Sequence, residues 1–191
     1  MLFKQQRFVN IKVIKSVLIA VVILTCVTLA LRLYPKPALA DLIPHSTAIY
    51  AQDGTLLRLT LAQDAQYQLW APLKDIQPNA VEAVKLYEDR YFAWHFGVNP
   101  VALLRGIWRT FFGGSRQGAS TIIMQLARSL YDINSRSITG KIKQIFAAIW
   151  LECRYSKHDI LEAYLNIAPY GGNIKGIATA SFFILTNQQI A

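Results

Sequence analysis

Two adjacent carboxylates, Glu88 and Asp89, open a stretch rich in aromatic side chains, EDRYFAWHFGVN at residues 88–99. Desolvation among aromatic rings raises the pKa of a carboxyl group toward that of a working general base, and Arg90 could hold the other carboxylate ionised. A solvated acidic pair beside an aromatic core patch is the alternative. His95 lies in the same stretch, and a histidine near aromatics is more often a hydrogen-bonded core residue. The stretch alone therefore leaves base catalysis and a structural role open.

A run of small residues, GAST at residues 118–121, leads into a predicted helix. The free backbone N–H groups and the dipole of a helix N-terminus suit an anion such as phosphate. Thr121, Gln125 and Arg128 are spaced i, i+4 and i+7, so they line one helical face with hydrogen-bond donors. An ordinary loop with Ser120 as the helix cap is the alternative.

Basic residues are concentrated between Arg105 and Arg154, where eight Lys or Arg and two acidic residues give a local charge of +6. This pattern favours either an anionic substrate or a solvated basic face. The total charge of +9 does not predict a nucleic-acid partner, because six basic and no acidic residues lie in residues 1–40. Cys26 and Cys153 are the two cysteines, and because Cys26 lies in an apolar run we expect no disulfide between them. No CxxC or HExxH spacing is present, so these motifs predict no metal site.

An uncharged run, SVLIAVVILTCVTLAL at residues 16–31, precedes all of these residues. With snorkelling flanks it is long enough to span a membrane, and the basic residues before it predict a cytoplasmic N-terminus. We therefore expect a basic cytoplasmic tail at residues 1–12, a transmembrane anchor at 13–34, a linker at 35–45 and a domain at 46–191.

A cleaved signal peptide is the alternative to this anchor, because Ala38-Leu39-Ala40 forms an A-x-A site before Asp41. The length of the apolar run favours an uncleaved anchor, as do the charged and proline residues between the run and that site. Both alternatives predict that the domain lies on the outer face of the membrane.

The domain begins with β-prone runs and continues with helical periodicity. The expected strands are residues 48–50, 56–61 and 67–70. The expected helices are residues 79–91, 100–112, 121–130, 140–153, 157–166 and 174–185. Four residues are expected to cap helix N-termini: Asn79, Asn99, Ser120 and Ser156. Gly113-Gly114 is expected to end the helix at 100–112. The apolar side expected for the helix at 140–153 is Ile142, Ile145, Phe146, Ala148 and Ile149.

The helix expected at residues 100–112 carries Trp108, Phe111 and Phe112 beside Arg105 and Arg109. Apolar bulk mixed with cations suits a helix that lies in a membrane surface. A buried core helix shows the same periodicity, so both remain open.

Taken in order, these stretches resemble glycosyltransferase family 51, the peptidoglycan polymerases of class A penicillin-binding proteins and monofunctional transglycosylases. EDRYFAWHFGVN matches the first motif of the family, GASTIIMQLAR the second, GKIKQ the third, RYSKHDILEAYLNIAPYGG the fourth and GNIKGIATASFF the fifth. The resemblance covers residues 45–185. The third motif and NIAPYGG are most similar to the C-type class A penicillin-binding proteins.

The resemblance implies a mainly α, lysozyme-like fold with a small β lead-in, an N-terminal transmembrane helix and a membrane-apposed jaw. It implies an enzyme that polymerises lipid II into β-1,4-linked glycan strands with inversion and releases undecaprenyl diphosphate. The implied partners are lipid II, the growing glycan strand, the inner membrane and other cell-wall synthesis proteins. The implied location is the inner membrane, with the catalytic domain in the periplasm.

The resemblance also implies a role for each matching residue. Glu88 matches the general base, which takes the proton from the 4-hydroxyl of the acceptor sugar. Trp108, Phe111 and Phe112 fall in the hydrophobic jaw. The substrate-binding positions are Asp89, Phe92, His95, Ser120, Thr121, Gln125, Arg128, Lys141 and Gln144.

One departure from the family pattern is Gln144, which stands where most members have a second glutamate in the third motif. An amide supplies no negative charge to a metal ion, so no cofactor is assigned and a divalent cation stays open. The closing helices of the family would follow the fifth motif, so we expect the domain to be C-terminally incomplete. Two alternatives follow: a catalytically impaired remnant that binds lipid II or cell-wall synthesis partners, and a lytic enzyme of lysozyme-like fold.

Overall fold

The computed structural model describes residues 2–112 and 120–186, without the side chains of residues 2–11, 107, 109–111, 185 and 186. The chain divides into two compact units, Met1–Lys36 and Pro37–Ala191.

The first unit is a long helix, α1, at Leu2–Leu33. Its segment Lys12–Leu33 has a mean hydropathy of 2.5, and none of it is buried within the structure. By length and composition this segment can cross a membrane, and a signal sequence near an N-terminus has the same properties. Beyond the helix, Lys36 Nζ donates to the carbonyl of Arg32 at 2.9 Å, which satisfies a carbonyl of the last turn.

The second unit opens with an antiparallel hairpin of β1 (Ala48–Tyr50) and β2 (Leu56–Leu59). In its turn, Asp53 Oδ1 accepts from the Thr55 N–H at 2.9 Å. Gly54 adopts a φ of +85°, a conformation that L side chains disfavour. The hairpin predicted from the turn signal is confirmed.

A second sheet has three short strands, β3 (Tyr67–Gln68), β4 (Pro169–Gly171) and β5 (Ile174–Lys175), with β5 in the centre. Strand β5 runs parallel to β3 and antiparallel to β4. Hydrophobic alternation does not predict β4 and β5, because strands this short contain no full alternating pattern. The helix expected at residues 174–185 therefore begins later, as α7 at Ile177–Thr186.

Helices make up about half of the second unit in the described part of the chain. They are α2 (Pro78–Glu88), α3 (Pro100–Phe112), α4 (Ile122–Leu130), α5 (Ile138–Arg154), α6 (Lys157–Ile167) and α7. The predicted fold class is confirmed: a mainly α, lysozyme-like helical domain with a small β lead-in and an apolar N-terminal helix.

Two predicted helix caps are confirmed. Asn99 caps α3, because its Oδ1 accepts from the Ala102 N–H at 3.1 Å. Ser156 and Asp159 form a reciprocal capping box at the start of α6. The predicted end of α3, Gly113-Gly114, lies outside the described residues.

The predicted boundaries of two helices, α2 and α4, are wrong. Helix α4 is capped by Thr121 rather than Ser120, because the Thr121 hydroxyl accepts the backbone N–H three residues ahead. Helix α2 begins at Pro78 rather than after Asn79. Proline is favoured in the first turn of a helix, because the backbone N–H that it lacks would have no partner within the helix there. It ends at Glu88, so Tyr91 lies beyond it.

Helices α4, α5 and α6 pack around one hydrophobic core, with α4 between the other two. In α4, Ile122, Ile123 and Leu126 have no exposed surface, and α6 adds Ile160 and Leu165. Because α4 is held on both sides, the residues on its one polar face have fixed positions. That face carries the candidate site.

The segment expected to be a linker, residues 35–45, contributes to this core. Leu39 and Ile43 are only 4% and 3% exposed and belong to the hydrophobic cluster. The Pro37 carbonyl accepts from the Tyr155 hydroxyl at 3.0 Å. The compact unit therefore starts at Pro37, not at residue 46. Cleavage at the A-x-A site would remove Leu39 from the core.

Helix α5 turns a different face to the core than periodicity predicts. Its buried residues are Gly140, Gln144, Ala148, Leu151 and Glu152. Ile142 and Phe146, expected on the apolar side, are instead exposed. They continue the line of Ile138 and Trp150, which are exposed too, and we call these four residues the α5 stripe. Ala148 is buried and Ile145 packs against the core as predicted, so the prediction is wrong for Ile142 and Phe146. The reason is that two polar side chains of α5, Gln144 and Glu152, are buried, which hydrophobic periodicity does not register.

Candidate active site

Glu88 is the last residue of α2, and its half-buried side chain contacts α4. Its Oε2 accepts from Gln125 Nε2 at 2.7 Å. The other end of the same amide, Gln125 Oε1, accepts from the Tyr164 hydroxyl on α6 at 3.4 Å. The structure thus brings together Glu88 and Gln125, two residues that the sequence singled out. The remaining lone pairs of the carboxylate are available to accept a proton.

Asp89 ties the loop after α2 to the start of α4. Its carboxylate lies 2.8 and 3.0 Å from Nε2 of His95 and accepts from the Ile122 N–H at 3.1 Å. Asp89 is 7% exposed, and the His95 side chain 6%. The His95 ring donates through Nε2, and its Nδ1 has no hydrogen-bond partner among the described residues. Because Asp89 bonds to both His95 and the Ile122 N–H, the loop is held in one orientation. Both residues occupy structural positions beside Glu88.

Thr121 and Phe92 fix the same loop from the other side. The Thr121 hydroxyl donates to the Gly97 carbonyl at 2.8 Å. Gly97 has a φ of +70°, and a Cβ there would lie 2.9 Å from the backbone of Ile149 on α5, so only glycine fits. Phe92 is 5% exposed and lies in the core cluster.

The first turn of α4 is less open to an anion than the sequence predicts. The Ile122 N–H donates to Asp89, and the Met124 N–H donates to the Thr121 hydroxyl. Two of the backbone donors that a phosphate would use are therefore occupied. Binding of an anion here depends on side-chain cations and donors.

Lys141 on α5 supplies one of those cations. Its Nζ donates to Ser120 Oγ at 2.7 Å and to Gln144 Oε1 at 3.0 Å. Burial lowers the pKa of the Lys141 ammonium, and the neighbouring positive charge of Arg128 lowers it further. Arg128, an exposed residue of α4, therefore adds a second positive charge that acts on Lys141.

Gln144 is completely buried and uses both ends of its amide. Its Oε1 accepts from Lys141, and its Nε2 donates to the Met124 carbonyl at 2.7 Å. Only a side chain with an acceptor and a donor satisfies both neighbours without a change of charge. Gln144 therefore orients Lys141 and joins α5 to α4.

Tyr164 and Tyr170 are two site residues that the sequence interpretation did not single out. Burial raises the pKa of both hydroxyls, and the negative charge of Glu88 raises them further. The positive charge of Arg128 lowers the pKa of Tyr164, which is a smaller effect than the two that raise it. The charges of Glu88 and Arg128 therefore both act on the Tyr164 hydroxyl. Tyr164 lies in LEAYLN, within the fourth motif, and this position could have marked it as a site residue from the sequence.

Trp108 and Phe112 stack on each other along α3, with ring centroids 4.2 Å apart. They are 64% and 69% exposed, and Val101 and Leu104 on the same helix are also exposed. The side chain of Phe111 lies outside the described residues. Of the two interpretations of α3, the exposure favours an interfacial helix over a buried core helix.

In the part of the chain that the structure describes, no three His, Cys, Asp or Glu side chains cluster in a way that could hold a metal ion. The site contains one carboxylate beside a hydrogen-bonded amide, a half-buried lysine and an exposed arginine. These groups meet on or next to α4.

Comparison with known families decides the assignment of this arrangement. The family model described as Transglycosylase matches residues 53–188, which include every residue discussed above from Glu88 to Tyr170. The chain belongs to the transglycosylase family. The glycosyltransferase family inferred from the five motifs is confirmed.

Individual relatives agree with this assignment. This transglycosylase is 39% identical over 155 residues to penicillin-binding protein 1C of Escherichia coli, a match covering 81% of this chain and 20% of that protein. It is 34% identical over 163 residues to a biosynthetic peptidoglycan transglycosylase of Agrobacterium fabrum, covering 85% of this chain and 69% of the relative. It is 32% identical over 178 residues to the biosynthetic peptidoglycan transglycosylase of Rhizobium leguminosarum, a match covering 93% of this chain and 72% of that relative. The chain thus spans one fifth of penicillin-binding protein 1C.

Proposed function

We propose that this transglycosylase is a membrane-anchored peptidoglycan glycosyltransferase, which polymerises lipid II into β-1,4-linked glycan strands and releases undecaprenyl diphosphate. The observation that carries the proposal is the arrangement along α4. Gln125 bonds to Glu88, and Arg128, on the next turn of the same helix, carries a positive charge that acts on Lys141. A base for a hydroxyl and a cationic site for a diphosphate therefore lie along one helical face.

In the proposed reaction, Glu88 takes the proton of the acceptor 4-hydroxyl while that oxygen attacks C1 of the donor sugar. The bond from C1 to the diphosphate oxygen breaks on the opposite side, so the configuration at C1 inverts. The departing diphosphate carries away the electron pair, and the charges of Lys141 and Arg128 stabilise it. Atoms and charge balance, with one proton moved to Glu88 and one glycosidic bond formed.

The remaining matching residues have supporting roles in this proposal. Gln125 and Tyr164 orient the carboxylate, and Ser120 and Gln144 orient Lys141. Asp89, Phe92, His95 and Thr121 shape the pocket by fixing the loop beside Glu88.

The location in the membrane is part of the same proposal. The apolar helix α1 anchors the chain, residues 1–12 stay in the cytoplasm, and the domain lies on the periplasmic side of the inner membrane. Exposed Trp108 and Phe112 on α3 rest in the bilayer surface, where a lipid-linked substrate is handed over. The α5 stripe adds a second exposed apolar face, with no exposed acidic residue among the described residues of α5.

The second candidate function is a remnant that binds lipid II without polymerising it. The observation that favours it is the buried amide of Gln144 in place of a carboxylate. A polymerisation assay separates the two: the full chain in proteoliposomes is given purified lipid II, and glycan polymer and released undecaprenyl diphosphate are measured. Polymer formation supports the proposal, and saturable lipid II binding with no polymer supports the remnant. Cleavage of preformed glycan strands would instead indicate a lytic enzyme.

A further inference from the structure

Lys157, in the first turn of α6, joins three parts of the fold at its ammonium group. Its Nζ lies 3.0 Å from Glu152 Oε2 on α5 and donates to the main-chain carbonyl of His95 at 2.8 Å. The same atom lies 4.5 Å from the centre of the Phe92 ring, in cation–π contact. His95 and Phe92 both belong to the loop that follows Glu88.

Glu152 explains why the ammonium is held at this place. Its side chain is only 3% exposed, whereas that of Lys157 is 28% exposed. A buried carboxylate is costly unless a cation and hydrogen bonds compensate it, so the Glu152 charge keeps Lys157 in the interior. The pair is also much less screened by salt than an exposed ion pair.

The contacts of Lys157 continue toward the proposed base through the loop. The ammonium fixes the carbonyl of His95, and the ring of that residue bonds to Asp89. Asp89 directly follows Glu88 and also accepts from the first N–H of α4. A shift of the His95 carbonyl therefore moves the Asp89 contacts and, through the peptide bond, the Glu88 carboxylate.

We propose that Lys157 is a positioning residue for Glu88: clamped by Glu152, it fixes the loop at residues 89–99 so that the base faces the acceptor hydroxyl. This inference rests on the proposed function, because it concerns the same carboxylate. Misplacement of a catalytic group by about 1 Å costs on the order of 100-fold in rate, so loss of the clamp should lower kcat much more than it raises KM.

The test separates positioning from stability with three variants of the full chain in proteoliposomes. Lys157→Met removes the cation that lies 3.0 Å from the buried Glu152 carboxylate, so both the unfolding temperature and kcat should fall. The double variant Lys157→Met/Glu152→Gln removes both charges and should recover most of the unfolding temperature. Its kcat should stay at least about tenfold below that of the parent chain, with KM changed less than about twofold.

The third variant, Lys157→Arg, keeps a cation that can bond to both Glu152 and the carbonyl, so it should restore most of kcat. Lys74→Met, at an exposed lysine in the short 3₁₀ helix before α2, is the matched control and should change neither kcat nor stability. A double variant with recovered stability and unchanged kcat would overturn the proposal and leave Lys157 a purely stabilising role.

Hydrogen exchange distinguishes failure of this inference from failure of the proposed function. If the parent chain forms no glycan, the proposed function fails, but the clamp is still measurable. Backbone amides at residues 89–99 should exchange several-fold faster in the stability-recovered double variant than in the parent, while those of α6 stay the same. Equal exchange of the loop in both proteins would contradict the inference without any activity measurement.

Discussion

Gln144 Nε2 donates to the main-chain carbonyl of Met124 at 2.7 Å, and this bond joins α5 to α4 in a site with no exposed surface. A glutamate side chain of the same length would direct a carboxylate oxygen at the carbonyl oxygen. The bond therefore gives a physical reason for the amide at the third-motif position where most members of the family have a carboxylate.

Gln144→Glu is accordingly expected to destabilise the domain, although the family pattern alone suggests that a carboxylate there is tolerated. The loss should be about 1–3 kcal/mol, the cost of a buried polar contact left unmade. It should shrink at low pH, where a protonated carboxyl can donate to Met124. Denaturant unfolding at several pH values measures this, with Gln52→Glu in the exposed hairpin turn as the control. Equal stability of the Gln144→Glu and parent chains would mean that α4 and α5 can separate locally.

Glu88→Gln is expected to lower lipid II polymerisation by about 10²–10⁴-fold, since an amide cannot accept the proton of the acceptor hydroxyl. The variant should keep the parent's unfolding temperature within a few degrees, because the side chain is half-buried and Gln125 can still bond to it. Glu82→Gln, at an exposed glutamate of the same helix, is the control and should retain full activity. Full turnover by Glu88→Gln would remove the base assignment.

Arg128→Gln is expected to raise the pKa of Lys141 toward its ordinary value of 10.5, because the like charge is one of the two causes that lower it. Burial, the larger cause, remains. Because the pKa of Lys141 is lower in the folded than in the unfolded state, its charged form is less stable in the folded state. At pH values where the lysine is protonated in both states, this lowers the free energy of unfolding. Stability therefore rises as the pH increases through the folded-state pKa and levels off near 10.5.

In Arg128→Gln this alkaline rise should be smaller than in the parent chain and should begin at higher pH. NMR titration of the Lys141 side chain and unfolding measurements across the alkaline range follow the two effects separately. An unchanged Lys141 pKa in the variant would show that the two cations do not interact.

Trp108→Phe is expected to reduce the fraction of tryptophan fluorescence that brominated phospholipids quench in proteoliposomes of the full chain. Trp108 is exposed and stacks on Phe112, so it should lie in the bilayer surface, and its loss should cost less than about 0.5 kcal/mol of stability. Trp70→Phe is the matched control, because Trp70 packs against the core. Quenching that is insensitive to Trp108 but sensitive to Trp70 would contradict the interfacial position of α3.

Leu39→Ala is expected to destabilise the second unit by about 2–5 kcal/mol, the usual cost of truncating a buried leucine. Leu42→Ala, three residues later at an exposed position, should cost far less. Mass spectrometry of the membrane fraction should find chains that retain the segment before Asp41. A mature protein that begins at Asp41, with the stability of the full chain, would establish a cleaved signal peptide.

Local sequence by itself determined the presence of the helices, the hairpin and two of the four predicted caps. Asn99-Pro100, the Ser156–Asp159 capping box and the turn at Asp53-Gly54 act through neighbours a few residues apart, so their chemistry is readable along the chain. The five ordered motifs likewise named the family and the candidate base.

The tertiary structure decided which partners those residues have, because the contacts join positions far apart in the chain. Gln125 bonds to Glu88 across 37 residues, and Lys157 bonds to His95 across 62. Periodicity counts Gln144 and Glu152 as surface residues, yet both are buried, since Gln144 bonds to Met124 on α4 and Glu152 pairs with Lys157 on α6. The exposed α5 stripe follows from the same fact: a helix turns toward the core whichever face finds complementary partners there, apolar or polar.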